Sequence, residues 1–136
     1  MRRLAIGTTT LAFAVPLAAA LAAGCLFDGD DEERDRALLQ RMRADIESFV
    51  GVPACAESNA CAFVAFGAKP CGGPWGYLIY SKASVDSAAL AQKVEAHNQF
   101  EGACNRKYSW MSDCSTPSLP RLSCKNGVCV DLNVRP

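Results

Sequence analysis

Apolar residues recur at spacings of three and four between Glu33 and Val50, and this period predicts one amphipathic helix. Gly51 follows this segment and Pro53 lies two residues further on, so the helix is expected to end near Val50. The apolar positions that define the expected buried face are Leu38, Leu39, Met42, Ile46, Phe49 and Val50.

Two short apolar and aromatic runs follow, and each predicts a β-strand. The first spans residues 61–66 (CAFVAF) and the second spans residues 75–81 (WGYLIYS). Both are rich in aromatic and apolar residues that suit a sheet. Residues 67–74 between them are dense in glycine and proline, which indicates a loop.

A second helix and a hairpin complete the pattern. Residues 87–100 favour a helix, with Asp86 or Ser87 as its N-cap and with Leu90, Val94 and either His97 or Asn98 on one side. Near the end of the chain, Asn-Gly stands between two apolar-containing runs and predicts a two-residue hairpin turn. That turn would place Lys125 opposite Val128 and Cys124 opposite Cys129.

The expected architecture is therefore one small α+β domain over residues 35–136. It comprises an N-terminal helix, a short antiparallel sheet with a C-terminal hairpin, and one further helix. Eight cysteines in 136 residues indicate an oxidising compartment, so disulfides are expected to stabilise the domain.

Charge is balanced overall, with 14 basic and 14 acidic residues. No strongly basic face is indicated, so nucleic acid is not an expected partner. The acids concentrate between Asp28 and Asp35, where six carboxylates accompany one arginine. Residues 25–34 are accordingly predicted to form an acidic tether ahead of the domain.

The first 24 residues have the pattern of an export signal. Arg2 and Arg3 give a short positive start, residues 4–23 are uncharged and mostly apolar, and small residues close the segment. A permanent transmembrane helix is the alternative, since about 20 residues suffice to span a bilayer. Pro16 and the small residues at the end argue against it.

The sequence Leu21-Ala22-Ala23-Gly24-Cys25 resembles the lipobox of bacterial lipoproteins. The resemblance implies that lipid is attached to the Cys25 thiol, that the chain is cut just before this residue, and that a membrane is a partner. By resemblance to the sorting of Gram-negative lipoproteins, Leu26 as the second mature residue implies the outer membrane of a bacterial cell envelope more than the inner one. The alternative is cleavage after Ala20-Leu21-Ala22, which would release a secreted or periplasmic soluble protein.

Seven cysteines remain for the domain. Six are disulfide candidates, and Cys104 is the predicted free thiol because we expect it at the frayed end of a helix. No C-x-x-C pair occurs and His97 is the only histidine, so neither a metal site nor another cofactor is expected. The disulfide candidates are Cys55, Cys61, Cys71, Cys114, Cys124 and Cys129.

The spacing leaves the disulfide pairing open: Cys124 and Cys129 could bridge to each other, or each could reach another strand. The segments 71–81, 112–114 and 124–129 are similar to segments of small cysteine-rich bacterial secreted proteins. That similarity implies an envelope location and a cystine-bearing domain.

No nucleophile elbow, phosphate-binding loop or dinucleotide fingerprint is present, and Asp113 and Asp131 are isolated in sequence. Trp75, Tyr77 and Trp110 are candidates for a binding loop, because aromatic residues are enriched at binding surfaces. The expected function is a non-enzymatic binding or structural role in a lipid-anchored envelope protein. The alternatives are a disulfide-rich inhibitor of proteases or other hydrolases that presents the Cys71–Tyr77 loop, and an envelope enzyme of unknown reaction.

Overall fold

A computed structural model describes residues 28–134, and it confirms a small disulfide-stabilised α+β domain. Two helices pack on one of two small antiparallel sheets, and a single 3₁₀ turn, Ser58–Ala60, precedes the first strand. Among the described helices none is both long and apolar enough to cross a membrane. The elements are α1 (Asp28–Val50), β1 (Cys61–Phe66), β2 (Gly76–Ser81), α2 (Ser87–Tyr108), β3 (Leu122–Lys125) and β4 (Val128–Asp131).

Helix α1 begins at Asp28, five residues before the predicted start, and ends at Val50 as expected. Residues 28–34, predicted as tether, therefore form its first two turns. The reason is that carboxylates near a helix N-terminus interact favourably with the helix dipole. In addition, Glu32 accepts hydrogen bonds from Arg36 and from the distant Trp110. The rest of the expected tether, the signal segment and Cys25 lie outside the described residues.

Strands β1 and β2 pair in antiparallel register, with Ala62 opposite Tyr80 and Val64 opposite Leu78. The even-numbered residues face the helices. Phe66 and Tyr80 are buried there, and Ala62, Val64 and Leu78 pack against the same core. The helices and the β2–α2 connection supply the remainder of this core: Ile46, Val50, Val85, Leu90 and Val94.

Helix α2 begins at Ser87, where the Asp86 carboxylate caps it by accepting hydrogen bonds from the amides of Ala88 (2.9 Å) and Ala89 (3.2 Å). It runs to Tyr108, eight residues beyond the predicted end, and stops where Ser109 adopts a left-handed conformation. Cys104 is consequently buried within the helix, only 2% exposed, and not at a frayed end.

The C-terminal hairpin has the predicted register, with Cys124 opposite Cys129 and Lys125 opposite Val128. Asn126 and Gly127 both adopt positive φ angles, as the predicted two-residue turn requires. The hairpin is held to the segment before β1 by two backbone hydrogen bonds, from Cys55 to Gly127 (2.8 Å) and from Cys129 to Pro53 (2.9 Å).

Three disulfides tie the domain together: Cys55–Cys124, Cys61–Cys129 and Cys71–Cys114. Thus Cys124 and Cys129 do not bridge to each other, although they lie opposite. The first two bonds connect the hairpin to the region around the start of β1. The third connects the loop between β1 and β2 to the segment after α2. Cys104 is the unpaired cysteine among the described residues.

Candidate functional site

The outer edge of β2 presents backbone groups that no other part of the described chain uses. The Lys82 amide donates to the Ala60 carbonyl (2.8 Å), and hydrogen-bonded pairs alternate along an antiparallel ladder. The pairs that carry the ladder hydrogen bonds are therefore 62–80, 64–78 and 66–76. The amides and carbonyls of Tyr77 and Ile79 therefore point away from β1. Within residues 28–134 they have no hydrogen-bond partner in the fold.

The outer edge of β1 differs, because α2 partly covers it. The Asn98 side chain donates to the Ala65 carbonyl (3.3 Å) and accepts from the Gly67 amide (2.7 Å). An edge strand with free backbone groups is a template for pairing with another extended chain. Strand β2 carries neither a charge nor a proline, the usual devices that block such pairing.

One cleft adjoins β2 on the face that looks away from the helices. We call it the hairpin-side cleft. It has a volume of about 670 Å³, and its wall is mostly apolar, with Ile79 on β2 opposite residues of the hairpin and the tail. Leu132 and Val134 in this wall are 41% and 71% exposed. The lining residues are Ile79, Lys125, Asn126, Val130, Asp131, Leu132 and Val134.

A second cleft, the helix-side cleft, adjoins β2 on the opposite face. Its volume is about 310 Å³, and its wall combines Leu78 and Trp75 with an ion pair on α1 in which Arg43 donates to Glu47 at 2.8 Å. Ile79 and Leu78 are consecutive in a strand, so their side chains point to opposite faces. The free edge of β2 therefore lies between an apolar cleft and a cleft of mixed polarity.

Trp75 stands where the β1–β2 loop enters β2. Its indole Nε1 donates to Glu101 Oε1 at 2.9 Å, and 46% of the residue remains exposed. The ring lies against Gly67, where a Cβ atom would come within 2.4 Å of the ring carbon Cδ1. Trp75 is thus a positioned side chain at one end of the free edge.

A buried lysine of the β1–β2 loop clamps this loop to the segment that follows α2. Lys69 Nζ donates to Asp113 Oδ1 (2.7 Å), to the Ser115 carbonyl (2.7 Å) and to Ser115 Oγ (3.0 Å). These bonds use all three ammonium protons. The hydrogen bond from Lys69 lowers the pKa of Asp113. The Cys71–Cys114 disulfide ties the same two segments together.

The Trp110 side chain packs elsewhere, against the first turns of α1. Its Nε1 donates to Glu32 Oε1 at 2.7 Å, and the Arg36 guanidinium sits 4.0 Å from its ring centre. Together with Arg36, the Trp110 hydrogen bond lowers the pKa of Glu32. The three aromatic residues predicted as one binding loop are therefore split: Trp75 and Tyr77 lie at β2, whereas Trp110 docks the start of α1.

His97 is 4% exposed and lies with Leu90 and Val94 among the buried residues of α2, where the sequence left His97 and Asn98 as alternatives. It stacks on Phe66 with ring centres 4.6 Å apart, and Nδ1 lies 3.4 Å from Asn98 Oδ1. Asp131 accepts from the backbone amides of Arg121 and Asn133. In the described part of the chain, the hydrogen bonds of His97 and Asp131 involve no serine, threonine or cysteine side chain.

The described residues contain one cluster with metal-ligand spacing, formed by the sulfur atoms of Cys55, Cys61 and Cys129 within 4.8 Å of one another. All three are bonded in disulfides and offer no thiolate in this state. Burial, followed by the charge of Asp35, raises the pKa of the Cys104 thiol and keeps it protonated.

The free β2 edge was not identified from the sequence. Because GYLIYS has no charge or proline, its composition indicates a strand that would be unprotected if it lay at an edge. Whether it lies at an edge depends on which segments the fold places beside it. No protein-family model, curated protein or solved structure matches this chain.

Proposed function

We propose that this protein is a lipid-anchored component of the bacterial cell envelope that binds an extended segment of a partner protein at the outer edge of β2. The role is non-enzymatic. The observation that carries the binding proposal is the row of four free backbone groups on Tyr77 and Ile79, with a cleft on each side of it. A peptide that adds to a sheet edge gains affinity from such groups and specificity from pockets for alternate side chains.

The clefts define the chemistry of the bound segment. Successive side chains of an added strand point to opposite faces of the sheet. Those on one face would enter the hairpin-side cleft, which is mainly apolar. Those on the other face would meet the Arg43–Glu47 ion pair and Trp75. The expected segment is therefore about five or six residues long, the usual length of a strand, with alternating apolar and polar side chains.

Anchoring is supported by the lipobox-like Leu21–Cys25 sequence and by the three disulfides, which suit an oxidising compartment. The test is a Cys25→Ser substitution, followed by high-salt washing of membranes. We expect the wild-type protein to stay with the membrane and the variant to leave it. A variant that remains bound after washing would contradict lipid anchoring through this residue.

Strand addition is tested by photo-crosslinking in intact cells. A benzophenone amino acid replaces Tyr77 at the free edge or, as the control, Gln99 on the exposed side of α2. We expect position 77 to crosslink to one short alternating segment of another protein, and position 99 not to crosslink to it. Equal crosslinking from both positions, or a crosslinked segment that is helical in its own fold, would contradict strand addition. A crosslink to the chain itself would indicate self-association instead.

A second function, inhibition of a hydrolase, is favoured by one specific feature. The Cys71–Gly73 tip is exposed, while the Lys69 clamp and the Cys71–Cys114 bond hold it rigid. A preorganised loop loses little conformational entropy on binding. Stoichiometric inhibition of an enzyme from a protease and glycosidase panel, weakened by the Cys71→Ser/Cys114→Ser double substitution, would support this function. No inhibition across the panel would remove it.

A further inference from the structure

The two disulfides that hold the C-terminal hairpin lie side by side. The Cys55 sulfur is within 4.8 Å of both sulfurs of the neighbouring Cys61–Cys129 bond. The fourth sulfur, that of Cys124, is bonded to Cys55, and Cys124 lies directly opposite Cys129 in the β3–β4 ladder. We refer to these four atoms as the four-sulfur cluster.

The two bonds differ in access to solvent. Cys55 and Cys124 are both half-buried, whereas Cys61 and Cys129 are only 8% and 4% exposed. An external thiolate therefore reaches the Cys55–Cys124 bond first. The inner bond is accessible mainly through a sulfur that is already inside the cluster.

We propose that the four-sulfur cluster is a thiol–disulfide exchange site, at which an external thiolate catalyses a swap of the disulfide pairing. The swap converts Cys55–Cys124 and Cys61–Cys129 into Cys55–Cys61 and Cys124–Cys129. This inference does not depend on the partner-binding role of β2.

The exchange has three steps, each an attack by a thiolate on a disulfide sulfur. An external thiolate attacks the Cys124 sulfur, forms a mixed disulfide and releases the Cys55 thiolate. Cys55 then attacks the Cys61 sulfur, which lies within 4.8 Å, and releases the Cys129 thiolate. Finally, Cys129 attacks the Cys124 sulfur of the mixed disulfide and expels the external thiolate. The number of disulfides is unchanged, and the external thiol is regenerated.

The hairpin is compatible with the new pairing. Opposed residues in an antiparallel ladder have Cα atoms about 4.5–5.5 Å apart, and disulfides accept Cα separations of about 4.4–6.8 Å. A Cys124–Cys129 bond therefore needs no change in the register of β3 and β4. On the other side, Cys55 and Cys61 are joined by a short segment whose residues Ala56–Asn59 are exposed.

The swap would change how the hairpin is held. Both covalent ties between the hairpin and the region around β1 are lost, while the new bond closes the hairpin on itself. Only non-covalent contacts, such as the hydrogen bonds to Cys55 and Pro53, would then keep it in place. The hairpin carries Val130 in the wall of the hairpin-side cleft, so the width of that cleft would respond to the pairing state.

Tryptic mapping distinguishes the two pairings. Trypsin cuts after Lys125, which separates Cys124 on peptide 122–125 from Cys129 on peptide 126–136. Cys55 and Cys61 share one peptide because no trypsin site lies between them, and this peptide spans residues 44–82 because Pro70 protects the bond after Lys69. In the native pairing both small peptides are attached to peptide 44–82. In the swapped pairing they are attached to each other and separate from it.

The experiment incubates the folded, oxidised mature chain with reduced glutathione, quenches with acid, alkylates free thiols and maps the disulfides by mass spectrometry. We expect the linked pair of peptides 122–125 and 126–136 to accumulate with time, and only when thiol is present. The Cys71–Cys114 bond should stay intact. Reduction of the bonds without the linked pair, or linkage of the Cys114 peptide to 122–125 or 126–136, would overturn the proposal.

A variant tests the internal step separately. In Cys124→Ser, the Cys55 thiol is free beside the Cys61–Cys129 bond, so we expect alkylation at Cys129 or Cys61 as well as at Cys55. The matched control, Cys114→Ser, frees Cys71 and should be alkylated there, with Cys104 labelled after denaturation in both proteins. Exclusive labelling of Cys55 in the first variant, apart from Cys104, would overturn the internal attack.

Discussion

Gly67 offers a direct test of how the β1–β2 loop and Trp75 are positioned at the end of the β2 edge. Its φ angle is +84°, and a Cβ atom there would lie 2.4 Å from Cδ1 and 3.1 Å from Cγ of the Trp75 ring. Glu101 Oε2 would be 3.2 Å away. The substitution Gly67→Ala therefore strains the backbone and also displaces the Trp75 ring.

The two effects have separate magnitudes. An L-residue in the left-handed region costs about 1–2 kcal/mol. Displacing Trp75 also breaks the 2.9 Å hydrogen bond from its Nε1 to Glu101, a net loss of about 1 kcal/mol because the exposed groups can bond to water instead. We expect a total destabilisation of about 2–3 kcal/mol for Gly67→Ala.

Gly72→Ala is the matched control. Gly72 has a similar φ of +94°, but nothing lies within 4 Å of its would-be Cβ. This variant should show only the backbone cost, about 1–2 kcal/mol. With an m-value of about 1–2 kcal/mol/M, the urea midpoints of the two variants should differ by about 0.5–1 M. Equal midpoints would refute the contact with Trp75, and a wild-type midpoint for Gly72→Ala would refute the strain argument.

Three further predictions concern the core, the α2 cap and the start of α1. Leu90→Ala should destabilise the domain by about 2–5 kcal/mol in thermal or urea unfolding, since Leu90 is 1% exposed; the half-exposed control Leu38→Ala should cost much less. Asp86→Ala should cost about 1 kcal/mol and Asp86→Asn far less, because asparagine also caps helices; equal losses would contradict the cap. The pKa of Glu32 is lowered below its ordinary 4.5, so its stabilisation is present above about pH 4.5 and is lost as the pH falls through the lowered folded pKa. In a Trp75→Phe background the fluorescence comes from Trp110, and it should change on acidification below that range. If Glu32→Gln in the same background shows the same acid profile as the protein with Glu32, the assignment is contradicted.

Elements set by local chemistry were predictable. A two-residue hairpin turn requires positive φ angles, which Asn126 and Gly127 tolerate, and this predicted the hairpin and its register. The apolar run 61–66 matched β1 at both ends. Asp86 or Ser87 was the expected N-cap, and Asp86 takes this position because its carboxylate reaches the amides two and three residues ahead. The turn and the cap involve residues within a few positions of one another, and β1 follows from the apolar and aromatic composition of its own six residues.

Features that depend on distant partners were missed or left open. The acidic run before Glu33 resembles a solvated tether in sequence, yet Trp110, far along the chain, helps to fix it as helix. The disulfide pairing was open because the hairpin places Cys124 and Cys129 opposite each other, while the approach of residues 53–55 decides their partners. The burial of His97 follows from its stacking on Phe66 in a different element.

The same reasoning applies to the site. Trp75 and Tyr77 were singled out as aromatic residues near a loop, and they do lie at β2. The free edge itself depends on where the hairpin and the helices leave a strand uncovered, which no local pattern encodes. Trp110 was grouped with them by residue type, although its hydrogen bond to Glu32 holds its side chain against α1.

Amide hydrogen exchange at β2 tests the central claim most directly. In the free protein, the outward amides of Tyr77 and Ile79 should exchange much faster than the ladder amides of Leu78 and Tyr80. Adding the partner segment found by crosslinking at position 77, as a synthetic peptide, should slow Tyr77 and Ile79 and leave Gln99 on α2 unchanged. If Tyr77 and Ile79 are already as slow as Leu78 and Tyr80 in the free protein, or stay fast with the peptide bound, β2 is not a strand-addition site.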